Sequence, residues 1–316
     1  MDLLKDDLGK LYRKFLIASF GSALIASIYG LVDMIVVGQY HGPDGAAAMS
    51  VIAPVWNIIY SFGLLTGIGG AGIATAMGAG ISTLVMLTHF FKKSNTLRLQ
   101  FSKDIFRLFG RITVNGFSSF IIDVAMGVLT MLFNRQIMKY LGTDALAVYG
   151  VIVSVSTLVQ CCSYGIGQAS QPIISQNYGA GNVGRIKKML RYNIITAAIF
   201  GAVWAAITFA VPNGLIRLFM TPTASVLAIA PAIIRIYGSS FLLLPFNVYS
   251  TYYFQATMRA KTSMFVSVAR GILISGALIL IIPVTLGADM IWWAMPVTEL
   301  VVAVFAGAMM AKKIQP

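Results

Sequence analysis

Nine apolar runs of roughly 20 residues or more, separated by short stretches that carry most of the charge, leave this chain of 316 residues few ways to fold. About 20 apolar residues in a helix cross a bilayer core, so each run is long enough to span one. The runs read as about 13–38, 45–66, 71–91, 112–138, 145–175, 192–212, 226–256, 264–284 and 290–311. Hydrophobic residues make up 58% of the chain and charged residues only 10%. That leaves too little polar surface for a soluble globule of this size, and lipid becomes the solvent the composition demands. A closed β-barrel also satisfies its backbone within a membrane, but it needs alternating segments of about ten residues, and the sequence has none. The sequence predicts an all-α membrane protein, a polytopic bundle of about nine transmembrane helices.

A formal net charge of +13 raises nucleic acid as a partner, so the positions of the 23 Lys and Arg matter. They gather at the ends of the apolar runs: Lys5/Lys10/Arg13/Lys14, Lys92/Lys93/Arg98/Lys103/Arg107/Arg111, Arg185/Lys187/Lys188/Arg191, Arg259/Lys261/Arg270 and Lys312/Lys313. Such clusters mark the cytoplasmic side of a membrane protein, so both termini are expected there. The Arg185–Arg191 segment reads as a short basic amphipathic helix against lipid headgroups, and nucleic acid is not needed to explain it. The acidic start, Met-Asp-Leu-Leu-Lys-Asp-Asp, has no signal-peptide leader, and the first span is expected to stay in the mature protein. From the fourth span onward, basic and non-basic loops alternate as six spans require. The first three do not fit: span three should end outside, yet it runs into Lys92-Lys93. An odd number of helices is missing.

An internal repeat locates the gap. Tyr40-x-Gly42-x-Asp44-x-x-Ala47 recurs 100 residues later as Tyr140-x-Gly142-x-Asp144-x-x-Ala147, and Gly67-Ile68-Gly69 matches Gly165-Ile166-Gly167 at an offset of 98. Spans one and two therefore correspond to spans four and five. Span three matches the last span instead, since Ala74 and Lys92-Lys93 align with Ala294 and Lys312-Lys313 at an offset of 220. At Gly67–Gly70 the first half jumps over an interval on which the second half spends 122 residues, the difference of those two offsets, and three helices. The expected organisation is a truncated N-terminal lobe of three helices over 1–98 and a complete C-terminal lobe of six over 99–316. A genuine nine-span protein with a basic external loop is the alternative.

Two such halves describe a large class of secondary transporter. Ile28-Tyr29-Gly30-Leu31-Val32-Asp33-Met34-Ile35-Val36-Val37-Gly38, with the Gly42 turn and Pro54, resembles the first two helices of the multidrug and toxic compound extrusion (MATE) family. The stretch from Gly165-Ile166-Gly167-Gln168 through Gln171-Pro172 to Asn177-Tyr178-Gly179-Ala180-Gly181-Asn182 resembles that family's most recognisable motif, at the end of its eighth helix. Gln255-Ala256-Thr257-Met258-Arg259-Ala260-Lys261 resembles the loop after its tenth. The bacterial multidrug-export branch, with Tyr-x-x-x-Asp in its first helix, is the most similar. The family has twelve helices, and this chain departs from it in lacking the third, fourth and fifth, with the cation-binding polar residues of the fifth.

An ionisable group in the hydrocarbon layer costs about 2.5–3.5 kcal/mol on insertion scales, so each one needs a reason. Three acids qualify: Asp33, Asp123 and Glu299. Tyr29 lies one turn before Asp33 on the same helical face, where its phenol can hydrogen-bond the carboxyl. Burial disfavours the charged form and suits Asp33 to exchange a proton or cation; the family resemblance implies that coupling role. A structural acid capped by polar neighbours is the alternative. Asp123 and Glu299 are candidate coupling or cavity-lining residues, or acids that satisfy backbone freed near a kink such as Pro296. Gln168, Gln171 and Asn177 surround Pro172 and line a cavity or hydrogen-bond between helices. Arg235 reads as a snorkelling residue. Cys161 and Cys162 read as small core residues, with no ligand spacing around them, so no metal site is expected.

The resemblance implies an antiporter coupled to H⁺ or Na⁺ that exports amphipathic, often cationic compounds across the bacterial cytoplasmic membrane. Its partners would be the bilayer and small drugs, with no cofactor beyond the coupling ion. No nucleophile and base stand at catalytic spacing, so an enzyme is not expected. A transport-incompetent truncated family member and a lipid-precursor flippase of related fold are the alternatives.

Overall fold

The computed structural model of the chain describes residues 2–24, 35, 39, 43 and 124–312. Helix α1 runs over 8–24 and α2 over 124–140. There follow α3 (Gly142–Gly179), α4 (Val183–Ala210), a short α5 (Pro212–Phe219), α6 (Ala224–Gly238), α7 (Leu244–Ala256), α8 (Ala260–Val268), α9 (Ile274–Thr285) and α10 (Ala294–Ala311). No strand occurs among the described residues. The expected spans 45–66 and 71–91, with the 92–111 loop, lie outside them.

Five stretches are long and apolar enough to cross a membrane: Gly142–Gly179, Val183–Ala210, Ala224–Ala256, Ala260–Thr285 and Ala288–Ala311. Each matches one expected span of the second half, and α2 supplies the sixth helix. Three of them are joined from pieces. A 3₁₀ turn, Ser239–Leu242, links α6 to α7, and Pro245 sits in the first turn of α7, where a missing N–H costs nothing. A π turn, Ala269–Leu273, links α8 to α9, and a 3₁₀ turn, Ala288–Trp293, leads into α10. Arg185–Arg191 is not the separate amphipathic helix expected of it. Helix α4 is continuous for 28 residues, about 42 Å, and its basic residues occupy the turns that overhang a hydrocarbon layer of about 30 Å.

The repeat motif at Tyr140-x-Gly142-x-Asp144 is the joint between α2 and α3. Gly142 takes φ +82°, a left-handed conformation that a side chain disfavours, and the chain turns there with only Leu141 between the helices. At the start of α1, Asp7 Oδ1 accepts the Lys10 N–H at 2.9 Å. That hydrogen bond caps the helix and holds the Asp7 carboxyl below its ordinary value of 3.8.

The core has two parts. One gathers the aromatic rings of Phe133, Tyr149, Tyr237, Phe241 and Trp292, with Phe133 stacked on Tyr149 at 4.9 Å between centroids. The other, toward the basic end, packs Leu8 and Leu11 of α1 with Ile173, Ile186, Met189 and Tyr253. The described parts of the first span lie along α4 in parallel. Tyr12 stacks with Tyr192, Phe20 meets Phe200 edge-on, and Gln39 Nε2 donates to the carbonyls of Arg217 and Leu218 just beyond.

Lipid is as apolar as a leucine side chain, so helices in a membrane associate by close packing, and small residues set how close they come. Gly201 in α4 is the tightest such approach to backbone: a Cβ there would lie 2.6 Å from the Leu242 carbonyl oxygen and 2.9 Å from that of Phe241. Gly307 in α10 has no atom within 4 Å of the same position. Gly201→Ala is expected to lower stability by about 1–3 kcal/mol. Gly307→Ala should be neutral or stabilising by up to about 1 kcal/mol. Unfolding of the purified protein in mixed detergent micelles measures both.

Candidate functional site

Three elements meet at a buried charge. Glu299 on α10 is completely buried, and its Oε1 lies 2.7 Å from Nε of Arg270, whose side chain is 11% exposed. The Asn247 amide of α7 donates from Nδ2 to the other oxygen, Oε2, at 2.6 Å and to the Glu299 carbonyl at 2.8 Å. Both carboxylate oxygens are thus occupied from within the protein. Arg270 stands on the π turn, and the Ser275 hydroxyl donates to its carbonyl at 2.8 Å, which satisfies backbone that the wider turn displaces. Wide turns of this kind concentrate at functional sites.

Beside Arg270 lies a cleft with two adjoining parts, enclosing about 30 Å³ and 40 Å³. Met126, Leu129, Met295 and Arg270 line both. Tyr164, Thr251 and Ser267 complete the first part, and Ser156, Gln160 and Tyr237 contribute to the second. Each part has room for a few water molecules. Gln160 Nε2 donates to the Tyr164 hydroxyl at 2.6 Å, which orients two of the polar walls.

Of the residues singled out in the sequence, Glu299 is at this centre. Asp33, Tyr29 and Asp123 lie outside the described residues. Gln168 is exposed, whereas Gln171 donates to the Gln255 side chain at 3.3 Å and so joins the two motif stretches that resemble the MATE family. Asn177 is buried away from the cleft, where Nδ2 donates to the carbonyls of Leu3 and Ile173. Arg185 Nη2 adds bonds to the carbonyls of Leu3 and Asp6, so this polar stretch clamps the N-terminal segment. Arg235 Nε donates to the Phe209 carbonyl at the end of α4, an exposed position that suits the snorkelling reading. Cys161 and Cys162 are free thiols, and among the described residues no group of His, Cys, Asp and Glu is arranged to hold a metal.

The residue missed was Arg270. It reads in sequence as part of a cytoplasmic basic cluster, yet it falls six residues inside the 264–284 apolar run. A positive charge at that depth requires a buried partner, and Glu299 provides it.

The MatE family profile matches residues 117–281, just over half of the chain. The chain belongs to this family. A similar relative, the multidrug export protein MepA of Staphylococcus saprophyticus, is 23% identical over 294 residues, which cover 92% of this chain and 62% of that protein. The chain therefore spans less than two thirds of that relative's length. Among solved structures, a multidrug resistance MATE family transporter of the MOP superfamily in its outward-facing conformation superposes with a TM-score of 0.68 at 18% identity. That match covers 94% of this chain and 70% of that one. The MATE multidrug transporter DinF-BH gives a TM-score of 0.65 at 21% identity, over 93% of this chain and 76% of that one. At these identities the likeness establishes the fold: an all-α membrane bundle of the MATE type.

An ion pair buried this deeply stabilises little against apolar replacements, but removing one partner strands the other. Glu299→Leu or Arg270→Met alone should each cost about 3–5 kcal/mol, while the double variant should lose less than either. A double-mutant cycle read by unfolding in detergent checks this.

Proposed function

We propose that the chain is a multidrug efflux antiporter, coupled to H⁺ or Na⁺, that exports amphipathic organic compounds across the bacterial cytoplasmic membrane. The observation that carries the reading is the family match over residues 117–281, which takes in α2, three whole span-length stretches and most of a fourth. The similar relative is a multidrug export protein, which supports efflux as the activity. We place both termini in the cytoplasm from the distribution of Lys and Arg, and divide the chain into a shortened lobe over 1–98 and a full lobe over 99–316.

Asp33, with Tyr29 one turn away, is the proposed coupling site. No Lys or Arg occurs between Lys14 and Lys92, so nothing in the surrounding sequence supplies Asp33 with a fixed counter-ion. Glu299 differs in kind, because Arg270 and Asn247 already occupy both of its oxygens. A carboxyl that is to exchange a proton or cation with solution must not be held by a permanent cationic partner, and Glu299 is so held, which leaves Asp33 as the stronger proposal. Gln168, Gln171 and Asp123 remain proposed lining residues of the transport path.

The second reading, a transport-incompetent shortened family member, is favoured by one observation: the alignment covers nearly all of this chain but only 62% of the relative. Sequencing of the source DNA across Gly67–Gly70 separates an interrupted coding sequence from a true internal deletion.

Cells that express the chain are expected to accumulate a cationic dye several-fold less than cells without it, and Asp33→Asn should abolish the difference. Fluorescence accumulation at two external pH values and with or without Na⁺ measures this. Equal efflux from both proteins removes the role of Asp33, and no efflux from either supports the second reading.

A further inference from the structure

The second-lobe cleft is polarised in a way that the cation-coupling reading does not use. Glu299 lines neither part of it, because its carboxylate is turned toward Asn247 and the Nε of Arg270. Arg270 lines both parts. Its guanidinium has five N–H donors, and the contact with Glu299 engages Nε alone. The terminal edge, formed by Nη1 and Nη2, has no hydrogen-bond partner among the described residues. That edge is the one whose two parallel N–H groups match a carboxylate.

The rest of the cleft agrees with an anionic head on an apolar body. Its shared walls, Met126, Leu129 and Met295, are apolar, and no acid lines either part among the described residues. Ser, Thr, Tyr and Gln side chains supply the remaining polar edges without charge. The enclosed space of about 30 Å³ and 40 Å³ accepts a group as small as a carboxylate, and the body would lie against Met126 and Met295, which line both parts. An ammonium group entering here would meet the guanidinium head-on, with the neutralising carboxylate behind it.

We propose that this cleft is a binding site for the carboxylate of an amphipathic aromatic ligand, held end-on by the Nη1/Nη2 edge of Arg270. The Arg270–Glu299 contact through Nε then serves to aim that edge, and the π turn at Ala269–Leu273 sets the side chain at the right depth. The proposal rests on the transporter reading for its biological use, as a site that selects anionic or zwitterionic substrates, but not for its test.

The test is equilibrium binding to the purified full chain in lipid nanodiscs, by calorimetry, with three probes that share one body: 1-naphthoate, 1-naphthamide and 1-naphthylmethylammonium. The naphthoate should bind at least tenfold more tightly than the other two. Arg270→Lys keeps a cation opposite Glu299 but lacks the planar fork. It should bring naphthoate down to the level of the amide and leave the amide unchanged. Equal affinities for the three probes, or naphthoate binding that is indifferent to Arg270→Lys, overturns the proposal. Should the Lys variant fail to fold, the probe series on the unaltered chain decides alone. No ion gradient enters the measurement, so a chain that exports nothing can still bind naphthoate, and a chain that exports a dye can still fail to.

Discussion

Lipid offers no hydrogen bonds, and every polar group that this chain sends into the bilayer has to find its partner inside the protein. Ser163, Thr298 and Asn193 return their donors to the carbonyl one turn earlier on their own helices. Arg235 and Arg259 reach carbonyls at the ends of neighbouring helices, at Phe209 and Met309. The bonds within a helix hide a polar group without needing a partner elsewhere, and those of Arg235 and Arg259 tie one helix to another where dispersion alone would let them slide. The interrupted spans obey the same constraint: the π turn at Arg270 is accompanied by Ser275, whose hydroxyl takes up the carbonyl of that residue.

The buried charges extend that logic. Glu299 is fully enclosed and is tolerable only because Arg270 and Asn247 come from two other elements to meet it. One interaction thus ties the joint between α8 and α9 to α7 and α10. It also decides what the neighbouring cleft presents, since the carboxylate is taken up by Arg270 and Asn247 and, of the ion pair, only Arg270 lines the cleft. The same residues serve cohesion and recognition, and these are separable only because guanidinium has two usable edges.

Much of the fold was legible because its signals are long. Runs of 20 or more apolar residues and a charge bias summed over whole loops survive local exceptions, and all six expected spans of the second half correspond to described helices. The glycine of the 100-residue repeat was legible too, and Gly142 shows why it is needed, with its left-handed backbone at the α2–α3 joint. The centre was less legible, because it depends on pairs far apart in sequence: Asn247 and Glu299 are 52 residues apart, Arg270 and Glu299 29. Arg270 was read as a loop cation because it follows Arg259 and Lys261 closely. For Asn177 the sequence leaves cavity lining and hydrogen bonding between helices both open, because nothing in its own helix indicates that the N-terminal segment folds back onto it.

Glu299, one of the acids that the sequence offers as a coupling or cavity-lining candidate, is held from two sides in the structure. Its two oxygens are taken by Arg270 Nε at 2.7 Å and the Asn247 amide at 2.6 Å, so a sodium ion could reach it only by displacing one of them in a medium of low dielectric. An ion can bias a conformational equilibrium only by as much as it binds one state better than the other, and a carboxylate with both oxygens filled offers an ion little to bind. Such a carboxylate is suited to holding a shape, and in this chain it holds Arg270 at the wall of the cleft.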